Sequence, residues 1–220
     1  MMVKALIWDV DGTLAETEEV HRAAFNAAFE AAGMNWHWDQ PTYARLLKVT
    51  GGKERIRAHA AVLGLPCVDA TALHAEKTAH YVALMRQGRV SLRPGVAALM
   101  AEARARGLRL AIATTTSPAN VTALAQAVWQ RSAEEVFDVI AAGDEVTAKK
   151  PAPDVYKLAL ARLGLPADLA IAIEDSLNGL RAAQGAGLRC VVAPGLYTGV
   201  EDLSAADWLV PDLTHWTLPR

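Results

Sequence analysis

The chain has 220 residues, 52% of them hydrophobic, with 22 basic against 24 acidic side chains and a formal net charge of −2. That hydrophobic fraction excludes a disordered chain, and the lack of a basic excess excludes a nucleic-acid surface built on bulk charge. Cys67 and Cys190 stand far apart without a CxxC spacing, so neither a disulfide nor a thiolate metal site is expected and a reducing compartment is.

The elements read in chain order as follows. "VKALIW" (3–8) predicts a strand apolar on both faces, as in a buried parallel sheet. From residue 16 to 90 the rhythm changes to helix-forming stretches at 18–32, 39–49, 53–63 and 69–87 with no convincing strand. This predicts a helical cap domain (16–90) inserted into an α/β core (1–15 and 91–220), with hinges near Leu14–Thr17 and Gly88–Arg93. A helix then runs from Pro94 to Gly107, followed by the strand "LRLAIAT" (108–114) and a helix opening at Ser117-Pro118. Further strands are "FDVIAA" (137–142), "LAIAIE" (169–174) and "LRCVVA" (188–193). Helices from Pro153-Asp154 to Gly164 and from Ser176 to about Gly185 separate them. Repeated strand–helix units predict a doubly wound parallel sheet. No apolar run approaches the roughly 18 residues of a membrane span, and the start of the chain lacks a signal-peptide pattern, so a soluble cytoplasmic protein is expected.

Ligands of such sheets bind beyond the carboxyl ends of the strands. Four strand ends carry polar residues: Asp9/Asp11, Thr114–Thr116, Asp144/Glu145 and Glu174/Asp175. An Asp-Gly turn would explain the first, and helix capping by Asp175 or Ser176 the last, if each stood alone. Four carboxylates at sheet tips repel one another, and a hard divalent cation such as Mg²⁺ resolves this. Lys150 in "AKKPAPD", with Lys149 as its competitor, is placed to neutralise a phosphate or the carboxylates. Thr114-Thr115-Thr116-Ser117 precedes a helix and offers hydroxyls and backbone N–H groups to an anion, although hydroxyls there also cap helices.

In the insert, "YARLLKVTGGKERIRAH" brings Tyr43, Gly51, Gly52, Lys53, Arg55 and Arg57 together. Gly-Gly followed by Lys and Arg at a helix start suits a second anion, or is simply a loop before a solvated basic helix. Glu18 either faces sugar hydroxyls or is a favourable first-turn acid, and His21, one turn on, suits either role. Trp36 and Trp38 are expected to pack the insert.

"DVDGTL", "IATTTS", "KKPAPDVY" and "IEDSLNG" resemble, in order and approximate spacing, the four motifs of the haloacid dehalogenase superfamily, and the insert resembles its helical C1 cap. The resemblance implies that Asp9 is a nucleophile forming an aspartyl phosphate and that Asp11 is the general acid/base. It further implies that Thr114 and Lys150 hold the phosphoryl group. Mg²⁺ would sit on the Asp9 carboxylate, the Asp11 carbonyl, Asp175 and Glu174. Members acting on carbon–halogen bonds lack the second aspartate, so Asp11 implies phosphoryl transfer. "DGTLAETEEVH", "TGGKERI" and "LHAEKT" resemble the CbbY-type phosphatases of Calvin-cycle bacteria and chloroplasts, which remove the Rubisco inhibitor xylulose-1,5-bisphosphate. Carried over, Glu18, Tyr43, Gly51, Gly52, Lys53 and Arg55 would contact the sugar bisphosphate, with Thr115, Thr116 and Ser117 at the phosphoryl end. A small phosphorylated sugar is thus the expected partner of a monomer, with no nucleic acid or membrane. Rival readings are a β-phosphoglucomutase-like enzyme, a phosphatase of another small phosphorylated metabolite, a phosphonatase using Lys53 or Lys77 as a Schiff base, and an inactive metabolite sensor.

Overall fold

Strands apolar on both faces must be covered twice, and the five predicted runs form such strands: β1 (Ala5–Trp8), β2 (Arg109–Thr114), β3 (Val139–Ala142), β4 (Ala170–Glu174) and β5 (Arg189–Val192). The computed structural model describes residues 2–219 apart from Pro66 and Arg89. Met1 and Arg220, at the ends of the expected core, and Arg89, in the second expected hinge, lie outside the described residues. Every residue of β1 and β4 is buried. A sixth strand, β6 (Trp208–Leu209), pairs with β5 and is too short to show a period in sequence. All pairs are parallel, in the spatial order β3-β2-β1-β4-β5-β6.

Among the described residues, the helices are α1 (Glu18–Ala31), α2 (Gln40–Leu46), α3 (Gly52–Val62), α4 (Ala70–Met85), α5 (Val96–Ala105), α6 (Pro118–Trp129), α7 (Ala133–Val136), α8 (Asp154–Leu163) and α9 (Leu177–Gly185). The two sheet faces differ in side-chain size. Leu6, Trp8, Leu110, Ile112, Ile171 and Ile173 pack with α5 and α6 through Leu99, Met100, Val121 and Leu124. Ala5, Ile7, Ala111, Ala113, Ala170 and Ala172 pack with α8 and α9 through Val155, Tyr156, Ala159 and Leu180. Small residues on that face let the helices come close, and the larger ones opposite fill a deeper layer.

One helix starts later than predicted, one stops earlier, and α7, like β6, is absent from the predicted elements. The helix expected from Pro94 begins at Val96, because Gly95 holds φ 87°, outside the helical region. The 39–49 helix stops at Leu46. The short α7 carries a capping box between Ser132 and Glu135.

Helices α1 to α4 pack around their own cluster of Phe25, Phe29, Trp38, Tyr43, Ile56 and Leu73, with Trp36 against its edge. The tryptophans thus pack this layer as expected. The linkers into and out of it run side by side: Ala15 bridges to Asp11 and to Leu92, and Arg93 N–H donates to the Leu14 carbonyl. Strand order reverses between β1 and β4, which opens a crevice beyond their carboxyl ends beneath the helical layer.

Candidate active site

Asp9 follows β1 and Glu174-Asp175 end β4, so the switch point gathers three carboxylates. Their oxygens lie within 4.8 Å of one another and all three residues are buried. The backbone is shaped to allow it. Gly12 has φ 76°, and a Cβ there would stand 2.4 Å from Asp175 Oδ2; a Cβ on Gly179 would stand 1.9 Å from the Glu174 carboxylate. These glycines are needed for close approach as well as for the turn.

Lys150 offsets part of this charge. Its Nζ donates to Asp9 Oδ1 and to Glu174 Oε1, both at 2.6 Å, and Tyr156 Oη donates to the same Glu174 oxygen at 2.7 Å. Burial pushes the Asp9 carboxyl up to about 7 against the pull of Lys150, with Glu174 adding to the rise. Burial and the neighbouring Glu174 and Asp9 raise Asp175 well above the carboxylate range, with Arg93 pulling the other way. The two carboxylates beside Lys150 raise its ammonium above the ordinary lysine value in spite of burial. Lys150 therefore bonds two of the three acids, and the third, Asp175, accepts from the Thr13 and Thr198 hydroxyls. A set of hard oxygen donors with a charge deficit of this kind fits a divalent cation such as Mg²⁺. Lys149, the competitor, is spent on the Gly143 and Val146 carbonyls and on Asp144.

Asp11 lies outside that cluster. Its Oδ1 accepts from Thr17 Oγ1 at 2.5 Å and lies 2.8 Å from His21 Nε2. Burial would raise the Asp11 carboxyl, yet His21 and the Thr17 hydroxyl outweigh it and hold the group well below the usual range. Thr17 is the N-cap residue of α1 but makes no side-chain cap bond, because its hydroxyl is turned to Asp11. Behind His21 stands Lys77 of α4, with Nζ 2.5 Å from His21 Nδ1, and Tyr81 stacks on the imidazole at 4.2 Å. His21 thus joins Asp11 to Lys77 through its two ring nitrogens, so the helical layer fixes the ring and the carboxylate's direction. No sequence signal paired residues 21 and 77. A lysine among apolar positions of α4 was the one hint.

Lys77 is 3% exposed, and burial brings its ammonium down to about 7 from 10.5, with Arg55 pushing the same way and Asp11 and Glu18 opposing. Between those values the unfolded chain binds a proton that the folded chain does not, so this group makes stability rise with pH, and its contribution is lost as pH falls towards 7. Lys77→Met should abolish that rise, which is at most about 1.4 kcal/mol per pH unit. Thermal unfolding of both proteins from pH 7 to 10 measures it; parallel curves would show that Lys77 stays charged in the fold.

A cleft of about 290 Å³ joins these groups to the helical layer. Asp9, Asp11, Thr114, Thr115, Thr116, Lys150 and Asp175 line it from the sheet, and Glu18, Gly51, Gly52 and Arg55 from the helices. Glu174 is fully buried beneath. Tyr43 stands behind the wall, its hydroxyl donating to Glu18 Oε2 at 2.6 Å and accepting from Arg55 at 3.2 Å, so it orients two lining residues. Lys53 and Ser117 line a neighbouring pocket instead: Lys53 pairs with Asp144, and Ser117 caps α6. Arg57 pairs with Glu54 on the surface. Sequence reasoning passed over Arg45, Lys48 and Asn120, which line the cleft, and the loop after β5, whose Tyr197 hydroxyl bonds Glu19 of α1. It also passed over Arg93, which ties the Gly12, Ala193 and Pro194 carbonyls together and pairs with Glu16.

Among the described residues no helix is long and apolar enough to cross a membrane, and both cysteines are free, Cys67 exposed and Cys190 buried.

Residues 3–187 match the family described as haloacid dehalogenase-like hydrolase. The chain is 55% identical over 214 residues to protein CbbY of Cereibacter sphaeroides, covering 95% of this chain and 92% of that one. It superposes with a TM-score of 0.93 on an aspartate-to-asparagine variant of CbbY from Rhodobacter sphaeroides in complex with xylulose-1,5-bisphosphate. That pair is 52% identical and the match covers 97% of this chain and 96% of the other. β-Phosphoglucomutase from Clostridium difficile shares the fold at a TM-score of 0.81 over 98% of this chain and 94% of that one, at 19% identity.

Proposed function

The chain belongs to the haloacid dehalogenase-like hydrolases and is a phosphoric monoester hydrolase, and from that premise we propose that it dephosphorylates a sugar bisphosphate, xylulose-1,5-bisphosphate, through an aspartyl phosphate. On this reading residues 1–15 and 91–220 are the catalytic core and 16–90 the cap domain. The protein then clears a Rubisco inhibitor in the cytoplasm of a Calvin-cycle organism.

The observation that carries the reading is the two-sided cleft. Its core side offers Asp9, Asp11, Lys150 and the Thr114–Thr116 hydroxyls, and its cap side offers Arg45, Lys48 and Arg55. One end suits a reacting phosphoryl group and the other a second phosphate. Lys150 holds one oxygen of Asp9 and so directs the other. Asp9 attacks phosphorus, the ester P–O bond breaks, and the departing sugar oxygen takes a proton from Asp11, whose carboxylate, ionised in the free site, takes up that proton once an anionic phosphate lies beside it. Asp11 then removes a proton from water, which attacks the same phosphorus and frees Asp9 and inorganic phosphate. His21 and Thr17 keep Asp11 in place for both transfers. Asp9, Asp175 and Glu174, with the Asp11 carbonyl, would hold Mg²⁺, which when bound neutralises charge between nucleophile and phosphate. Glu18, positioned by Tyr43, is left to accept from sugar hydroxyls.

Free-phosphate release across a panel of sugar mono- and bisphosphates with Mg²⁺ tests the reading. The expected result is strong preference for a five-carbon ketose bisphosphate. Isomerised sugar phosphate without free phosphate would identify a mutase instead. Arg55 also bonds Tyr43 and the Leu46 carbonyl, so its removal disturbs the cap wall as well as the ligand. Lys48, exposed at the rim, is the cleaner probe. Lys48→Ala should lower kcat/KM for the bisphosphate about tenfold, the worth of one charge-assisted contact, and leave small monophosphates nearly unchanged. Equal losses on both substrate classes would sink the second-phosphate assignment.

A further inference from the structure

Asn120 lies in the first turn of α6, is 2% exposed, and lines the cleft. Burying a primary amide is unfavourable unless its polar atoms are paired, and an apolar side chain here would pack without that cost. The helix start does not need it, since Ser117 caps the Asn120 backbone N–H. Among the described residues, its side chain has one partner. Nδ2 donates to Thr116 Oγ1 at 2.8 Å, and Oδ1 has none.

A hydroxyl carries one proton and two lone pairs. With a lone pair of Thr116 Oγ1 taken by the Asn120 N–H, the Thr116 proton cannot lie along that bond and is left for an acceptor elsewhere. Thr116 lines the cleft, where an ionised phosphate offers only acceptors. The neighbouring hydroxyl is treated alike: Thr114 Oγ1 accepts the Thr116 backbone N–H at 3.2 Å, which leaves the Thr114 proton free as well. We infer that Asn120 is a positioning residue that fixes the polarity of the Thr116 hydroxyl, so that its proton is presented to a phosphoryl oxygen. The inference rests on the proposed seat of the phosphoryl group at Thr114–Thr116. Without Asn120 the hydroxyl is free to rotate, and the ordered donor is lost.

The test is a double-mutant cycle read by steady-state kinetics on a phosphate-ester substrate and by competitive inhibition with inorganic phosphate. Asn120→Ala and Asn120→Leu should each raise KM and the inhibition constant for phosphate about tenfold, the loss of one hydrogen bond, with a smaller change in kcat. Leucine restores the buried volume, so its melting temperature should match or exceed that of the wild type while its kinetic defect equals that of alanine. In a Thr116→Val background, neither substitution should cost anything further. Losses that multiply independently of Thr116, or a defect that follows melting temperature and disappears with leucine, would overturn the inference. If Thr116→Val weakens phosphate and the Asn120 variants do not, the phosphoryl seat stands and the inference alone fails. If Thr116→Val itself changes nothing, the seat is wrong and the inference falls with it.

Discussion

Asp9→Asn should cut phosphate release by at least about 10⁴-fold, the scale on which removal of a covalent nucleophile acts, while leaving the protein folded and at least as stable. An amide keeps the shape of the carboxylate and its oxygen still accepts from Lys150, but it is a poor nucleophile and a poor ligand for a hard cation. The stability half of the expectation follows from the charge count. Lys150 pairs with Asp9 and Glu174, Asp175 lies beside them, and burial already works against the ionised form of Asp9. Removing one negative charge leaves Lys150 paired with Glu174 and relieves repulsion on Asp175. In chelator the melting temperature of the variant should therefore equal or exceed that of the wild type, and added Mg²⁺ should raise it less. A site that gains stability when its reacting group is neutralised is the expected trade between activity and stability. Near-wild-type turnover by the folded variant would rule out the aspartyl-phosphate route.

Lys150→Met should do the reverse to stability and still abolish most activity. Removing the cation leaves buried carboxylates without their partner, which commonly costs about 3–5 kcal/mol. For a chain of this size that corresponds to a fall in melting temperature on the order of 10 °C. Mg²⁺ should restore more stability to this variant than to the wild type, because the ion then supplies the positive charge that Asp9 and Glu174 have lost with Lys150. Turnover at saturating Mg²⁺ should stay roughly hundred- to thousandfold down, as for loss of one preorganised donor to a transition state. Calorimetry with and without Mg²⁺, beside phosphate-release kinetics, separates the two effects. A variant as stable as the wild type in chelator would mean that the acids protonate instead of relying on Lys150.

Much of this arrangement is local in sequence and so can be read there. The strands announce themselves as short runs apolar on both faces, and every catalytic candidate of the core except Lys150 lies at or within a few residues of a strand end: Asp9 and Asp11 after β1, Thr114 to Thr116 at the end of β2, Glu174-Asp175 at the end of β4. A doubly wound sheet brings those ends to one edge whatever the loops do, so strand order alone converges them. The helical insert was legible for the same reason, since its punctuation by Asp39, Asp69 and the glycines is local. What the sequence could not show is everything that joins groups across the cleft. His21 meets Lys77, Tyr197 meets Glu19 and Arg93 meets Ala193 over separations of 56, 178 and 100 residues. Lys53 and Tyr43 were placed on the substrate by the string they sit in. The structure adds partners that the string does not show: Lys53 pairs with Asp144, and Tyr43 stands behind Glu18. Charged side chains give no periodic signal for their partners, because their position is set by which opposite group the folded layers bring within a few ångströms. Burial of Lys77 becomes tolerable only once His21 and the nearby carboxylates are assembled around it, and that assembly exists only in the tertiary structure.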